Sequence, residues 1–136
     1  MAELPLVAGW QRATHHLLAA LDEELAALEL TAGEVNALAC FAGEKAVPVR
    51  ELILRTGQKP STFTGVLDRL ERRGLVDRRP NPADRRSTVV ALTRAGRRAA
   101  ATVAAVFEEM ERRLPPELRA AAASLSAIEA GTLQAL

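Results

Sequence analysis

The residues of this chain whose types and spacing could do chemistry are arginines and hydroxyls rather than nucleophiles. The stretch RRPNPADRRSTVV, residues 78–90, sets four arginines, two prolines and an aspartate between two short apolar runs. Proline fixes the backbone and arginine presents a planar fork of donors, so the stretch describes a stiff finger with Arg85 and Arg86 at a basic tip. A solvated surface loop is the plainer reading of the same residues. Upstream, Lys59, Ser61, Thr62, Thr64 and Gly65 open a segment of helical pattern. Hydroxyls bond base edges or phosphates, a helix N-terminus attracts phosphate, and glycine permits close approach. Both stretches are equipped to bind a polyanion.

The distribution of charge favours that chemistry over the plain loop. The chain of 136 residues has a net charge of only +1. Residues 55–98, however, hold 12 of its 18 Lys/Arg and 4 of its 17 Asp/Glu, a local net of +8 against −7 elsewhere. Such asymmetry points a basic face at a polyanion.

Other residues offer less. Cys40 lies in ALACFAG, read as mid-helix among apolar neighbours, with no cation close by to lower its pKa. It is expected to act as a small buried apolar residue and not as a redox sensor. His15 and His16 are adjacent, so on a helix they diverge by about 100° and cannot grip one metal together. One of them, with Trp10, is a weak candidate for a ligand cleft, a structural role being the stronger reading. No nucleophile–base–orienter set, metal-ligand spacing or phosphate loop is present, which excludes an enzyme reading and leaves no cofactor to expect. No apolar run nears the roughly 18 residues of a membrane span, and one cysteine makes no disulfide framework, so a cytoplasmic protein is expected.

The elements that must position these residues follow from periodicity and punctuation. Trp10, Leu17, Leu21, Leu25 and Leu28 predict an amphipathic helix over 6–28. Thr31 and Glu34 form a capping-box pattern for a helix over 32–43. Pro48 suits the first turn of a short helix, 48–55, that Gly57 can end in the left-handed conformation. After a Thr56-Gly57-Gln58 turn a helix is predicted over 60–73, with Phe63, Val66, Leu67 and Leu70 inward and Ser61, Thr62, Gly65, Asp68, Arg69 and Arg72 outward. Two helices joined by so tight a turn are a helix-turn-helix candidate. A hairpin of 75–79 with 88–92 follows as a wing, where Asp84 is expected to hold an arginine side chain through a charge-assisted bond. A helix from Arg94 to about 113 and another over 117–134, with Leu118, Leu125, Ile128 and Leu133, complete the chain. Their apolar stripes, like that of 6–28, are best explained by burial in a partner subunit.

Residues 61–96, STFTGVLDRLERRGLVDRRPNPADRRSTVVALTRAG, resemble the MarR family of bacterial winged-helix regulators. The likeness lies in the Ser-Thr-x-Thr helix start, the Leu-Glu-x-x-Gly-Leu-Val junction, the Asp-x-Arg wing, the closing Leu-Thr-x-x-Gly and the Leu30-Thr31 step upstream. It implies a mainly α fold in the order α-α-α-α-β-β-α-α, a single domain over 1–136. Within it, 32–93 would form the winged helix-turn-helix, and 1–30 and 94–136 the dimerisation helices. It further implies a homodimer on a pseudo-palindromic operator, usually a repressor released by a small-molecule effector or by oxidation. Oxidation-sensing relatives place their cysteine near the first helix, which Cys40 does not match. The expected DNA contacts are Lys59, Ser61, Thr62, Thr64, Gly65, Arg69, Arg72, Arg78, Asp84, Arg85 and Arg86. The alternative is a winged-helix protein-interaction module whose DNA face has decayed, against which the retained wing arginines argue.

Overall fold

The structure is a computed structural model that describes residues 2–120 and 122–135. Its elements are α1 (Leu6–Glu24), α2 (Ala32–Ala39), β1 (Ala46–Pro48), α3 (Val49–Thr56), α4 (Pro60–Arg72), β2 (Val76–Asn81), β3 (Asp84–Leu92), α5 (Arg94–Arg113), α6 (Pro116–Arg119) and α7 (Ala122–Ala135). The chain divides into two compact units after Val106. The first holds α1 to the body of α5, and the second holds the end of α5 with α6 and α7.

Three short helices and a small sheet enclose the core of the first unit. Phe41, Phe63, Leu38, Leu52, Leu70, Val47, Val66, Val76, Val90 and Val103 are all fully buried. The inward face predicted for α4 is the buried one: Phe63, Val66, Leu67 and Leu70. The sheet has the antiparallel order β1-β3-β2. β1 was not expected, because three residues ending in proline carry no alternation to read. It pairs Ala46, Val47 and Pro48 with Ala91, Val90 and Val89.

Several boundaries differ from expectation. The first helix ends at Glu24, followed by a 3-10 turn at Ala26–Leu28 and by Glu29 at a left-handed φ of 52°. Arg73 makes that exit possible, donating to the carbonyls of Leu28 at 2.8 Å and Glu29 at 2.7 Å. The Thr31–Glu34 capping box forms as predicted. The second helix nevertheless stops at Ala39, since Ala42 and Gly43 take φ of 50° and 82°. Pro48 precedes α3 as its N-cap instead of lying in its first turn. The last helix is broken into α6 and α7, and the side chain of Leu133 lies outside those described.

The end of α4 and the start of α5 explain two glycines. Gly74 takes φ of 71°, while the Leu75 N–H donates to the Leu70 carbonyl at 3.0 Å and the Gly74 N–H to that of Glu71 at 2.9 Å, a Schellman stop. Thr93 ties this stop to α5: its hydroxyl donates to the Gly74 carbonyl at 2.6 Å and accepts the Gly96 N–H at 3.0 Å. Gly96 lies so close that a Cβ there would collide with the Leu75 carbonyl oxygen, a backbone atom that cannot swing aside. Gly96→Ala is therefore expected to lower stability by about 1–3 kcal/mol, as overpacking does. Urea unfolding of the variant checks this, and a wild-type midpoint would refute it.

Candidate nucleic-acid interface

α3 and α4 form the predicted helix-turn-helix. Gly57 ends α3 at a left-handed φ of 69° with its N–H on the Ile53 carbonyl at 3.2 Å, so the turn can be only three residues long. Lys59 is the N-cap of α4 and Pro60 its first residue, with no side chain capping the first turn. The open N–H groups and the positive end of the helix dipole are then left for an anion. Ser61, Thr62 and Thr64 are exposed there, and Gly65 is partly so. The Thr64 hydroxyl donates back to the Pro60 carbonyl at 3.0 Å, which ties its orientation to the helix.

β2 and β3 make the wing, longer than the 75–79 and 88–92 expected. Pairing runs from Val76–Leu92 to Asn81–Asp84, with a register shift between Pro80 and Asn81. Pro80 is tolerated because β2 is an edge strand. Side chains of the tip lock its backbone. Asn81 Oδ1 accepts the Ala83 N–H at 3.0 Å, and Asn81 Nδ2 donates to Ser87 Oγ at 2.8 Å. Asp84 Oδ1 accepts the backbone N–H of Arg86 at 3.0 Å, which corrects the expectation for this residue. Among the described residues it pairs with no arginine side chain; a two-residue Asx turn is the shorter-range partner and wins. Asp84 fixes the chain from which Arg86 projects, and the guanidinium stays free.

Two arginines expected to face DNA are held by carboxylates. Arg78 is ion-paired to Asp68, and its Nε lies 3.3 Å from Glu71 Oε2, so it braces the wing against α4. Arg69 Nε donates to Glu34 Oε1 at 3.0 Å. Lys59, Arg72, Arg85 and Arg86 are exposed and make no ion pair among the described residues. Arg79 has only the exposed Asp77, 3.6 Å away. The free cations thus sit at the start of α4, on its last turn and at the wing tip.

Sequence reasoning missed Glu34 and Arg73 as parts of this region. Glu34 looked like a capping residue alone, and its link to Arg69 spans 35 positions. The cysteine reading needs three corrections, the first being that Cys40 is only half-buried and its thiol donates to Asn36 Oδ1 at 3.6 Å. Cys40 is the C-cap of α2, not a mid-helix residue, and Arg55 is near it, donating to its carbonyl at 3.0 Å. Burial still pushes the thiol up and outweighs the pull of Arg55, so it stays protonated at neutral pH. His15 and His16 are exposed on α1, and Trp10 is half-buried. Among the described residues no group of three or more His, Cys, Asp or Glu could hold a metal ion, and no helix is long and apolar enough to cross a membrane.

A tight helix–turn–helix with an uncapped, hydroxyl-bearing second helix, braced to a basic two-stranded wing, defines a winged helix-turn-helix protein. Residues 28–87 match the model of the MarR family. Over this stretch, which runs from the end of the first helical region to the wing, the chain is similar to that family of transcriptional regulators.

Solved structures with the same fold include BpsR of Bordetella bronchiseptica, whose DNA binding is regulated by 6-hydroxynicotinic acid. It is 25% identical, with 93% of each chain covered and a TM-score of 0.76. A probable transcriptional regulator from Pseudomonas aeruginosa is 27% identical over 90% of this chain and 95% of its own, with a TM-score of 0.70. A mutant of E. coli MarR complexed with operator DNA shares the fold at 24% identity, over 96% of this chain and 94% of its own, with a TM-score of 0.73. No curated protein matches the chain in sequence.

Proposed function

We propose that two copies of this chain form a homodimer that binds a pseudo-palindromic operator and represses transcription until a small effector is bound. The observation that carries operator binding is the set of uncompensated donors: Lys59 and the open first turn of α4, Arg72, and Arg85 and Arg86 on a locked wing tip. Lys59, Ser61, Thr62, Thr64 and Gly65 then meet the major groove, and the wing reaches an adjacent minor groove, where narrow A·T-rich DNA concentrates negative potential. Arg69 and Arg78 act from within their ion pairs.

Uncovered leucines support the dimer. Leu4, Leu6, Val7, Leu17 and Leu18 are exposed at the N-terminal end, and Leu114, Leu118 and Leu125 in the second unit. Leu17, predicted as part of a buried stripe, is 51% exposed. Apolar surface of this kind marks a partner interface. An effector has a seat in the first unit, a cleft of about 250 Å³ lined by Leu28, Leu30, Leu75 and Ala99 together with Arg73, Arg98 and Thr102. Apolar walls beside two arginines suit a small anion with an apolar body, as the regulation of BpsR by 6-hydroxynicotinic acid illustrates for a relative. Trp10, His15 and His16, the weaker sequence candidates, do not line this cleft.

Protection mapping on the DNA upstream of the chain's own gene tests the reading. Two protected patches should appear, centred about 34–36 Å apart or a multiple of this, as two symmetric half-sites require. Sedimentation should show a dimer at micromolar concentration, and a folded monomer there would refute the assembly.

A further inference from the structure

Glu34 is the one buried charged side chain among the described residues, 3% exposed. A buried carboxylate persists only when its oxygens are engaged. Oε2 accepts the Thr31 N–H at 3.2 Å, which completes the capping box, and lies 3.7 Å from Arg73 Nη1. Oε1 serves no cap. It accepts Arg69 Nε at 3.0 Å, from the recognition helix.

The consequence falls on Arg69. Tied at Nε, its planar group is held in one orientation while the side chain remains 44% exposed. Nη1 lies over Gly65, where a Cβ would come within 3.5 Å of it. Neither Nη1 nor Nη2 has a hydrogen-bond partner among the described residues. Ser61, Gly65 and Arg69 follow one another at four-residue steps, so the free donors lie on the same stripe of α4 as its exposed first turn.

We propose that Glu34 is a positioning residue that presents Arg69 as a fixed reader of one guanine in the major groove. The inference rests on the operator binding proposed above. Two N–H donors of an arginine match the O6 and N7 acceptors of guanine, a pairing that depends on orientation. A phosphate needs only a cation, and it gains nothing from a carboxylate that neutralises one of the two arginines beside it. Fixing the fork before binding removes the rotamer entropy that a mobile arginine loses on contact.

The probe is a pool of randomised duplexes, from which the wild-type dimer selects its preferred sequence. Each base pair of the selected duplex is then varied against the wild type, Arg69→Ala, Glu34→Gln and Thr31→Ala. Arg69→Ala and Glu34→Gln should both flatten preference at the same G·C pair by about tenfold. The double variant should flatten it no further than Arg69→Ala alone. Thr31→Ala removes the other half of the capping box and lowers stability, yet should keep the wild-type profile. Where Glu34→Gln does not fold, Glu34→Asp, whose carboxylate is one methylene short, gives the same readout. A Glu34 variant that keeps the wild-type profile, or changes preference at a different base pair from Arg69→Ala, overturns the inference alone. A pool from which the wild type enriches nothing overturns the operator reading and this inference together.

Discussion

Operator binding should weaken by roughly 10³–10⁵-fold when the salt concentration rises from about 50 to about 200 mM, the response of a protein that neutralises about 6–10 phosphates. The geometry supplies contacts on that scale. Each subunit presents Lys59, Arg72, Arg85 and Arg86 without ion pairs among the described residues, and Arg79 with only a distant exposed partner. Doubled in the proposed dimer, these five side chains and two open helix N-termini reach the number required. Arg69 and Arg78 add little to the slope, because each already has a carboxylate beside it. The measurement is a titration of the selected duplex at four salt concentrations, plotted as log affinity against log salt. A flat line would remove the electrostatic basis of the interface and favour a protein-interaction module on the same fold.

The elements were legible where a local rule governs them. The buried face of α4 follows from apolar residues at helical spacing, and the Thr31–Glu34 box from two residue types three apart. Gly57 was readable as a helix end because the left-handed conformation is costly for other residues. What escaped depends on packing. β1 exists because Ala46–Pro48 meets β3, and nothing in three residues announces a strand. Arg73 ends the first helix early by capturing carbonyls 44 and 45 positions away.

The functional residues show the same division. The basic wing and the hydroxyl-bearing start of α4 were visible as composition, since charge and residue type are local properties. Which arginines remain free was not. Arg72 and Arg69 look alike in sequence, but α2 packs against α4 and places a buried carboxylate beside only one of them. Asp84 shows a subtler failure. Its presence among arginines suggested an ion pair, whereas the backbone N–H two residues on is nearer and sterically preset.

Arg86→Ala should weaken binding to every operator variant by a similar amount, on the order of 1–3 kcal/mol per subunit, and lower the salt slope. The side chain projects from a tip whose backbone is fixed by Asp84, Asn81 and Ser87, so little order is lost when it enters a groove. In the minor groove it can tell A·T from G·C but little more, hence the near-uniform loss. Asp84→Ala should act in the same direction and more weakly, because it releases the Arg86 backbone without removing a donor or a positive charge. Ser61→Ala and Thr62→Ala should instead change which major-groove bases are preferred, with little change in slope. All four residues are exposed and none belongs to an apolar face, so dimer and helical content should be retained. A panel of operator variants titrated at two salt concentrations separates these outcomes. If Arg86→Ala binds as the wild type does while the dimer is intact, the wing is a solvated loop and the minor-groove contact does not exist.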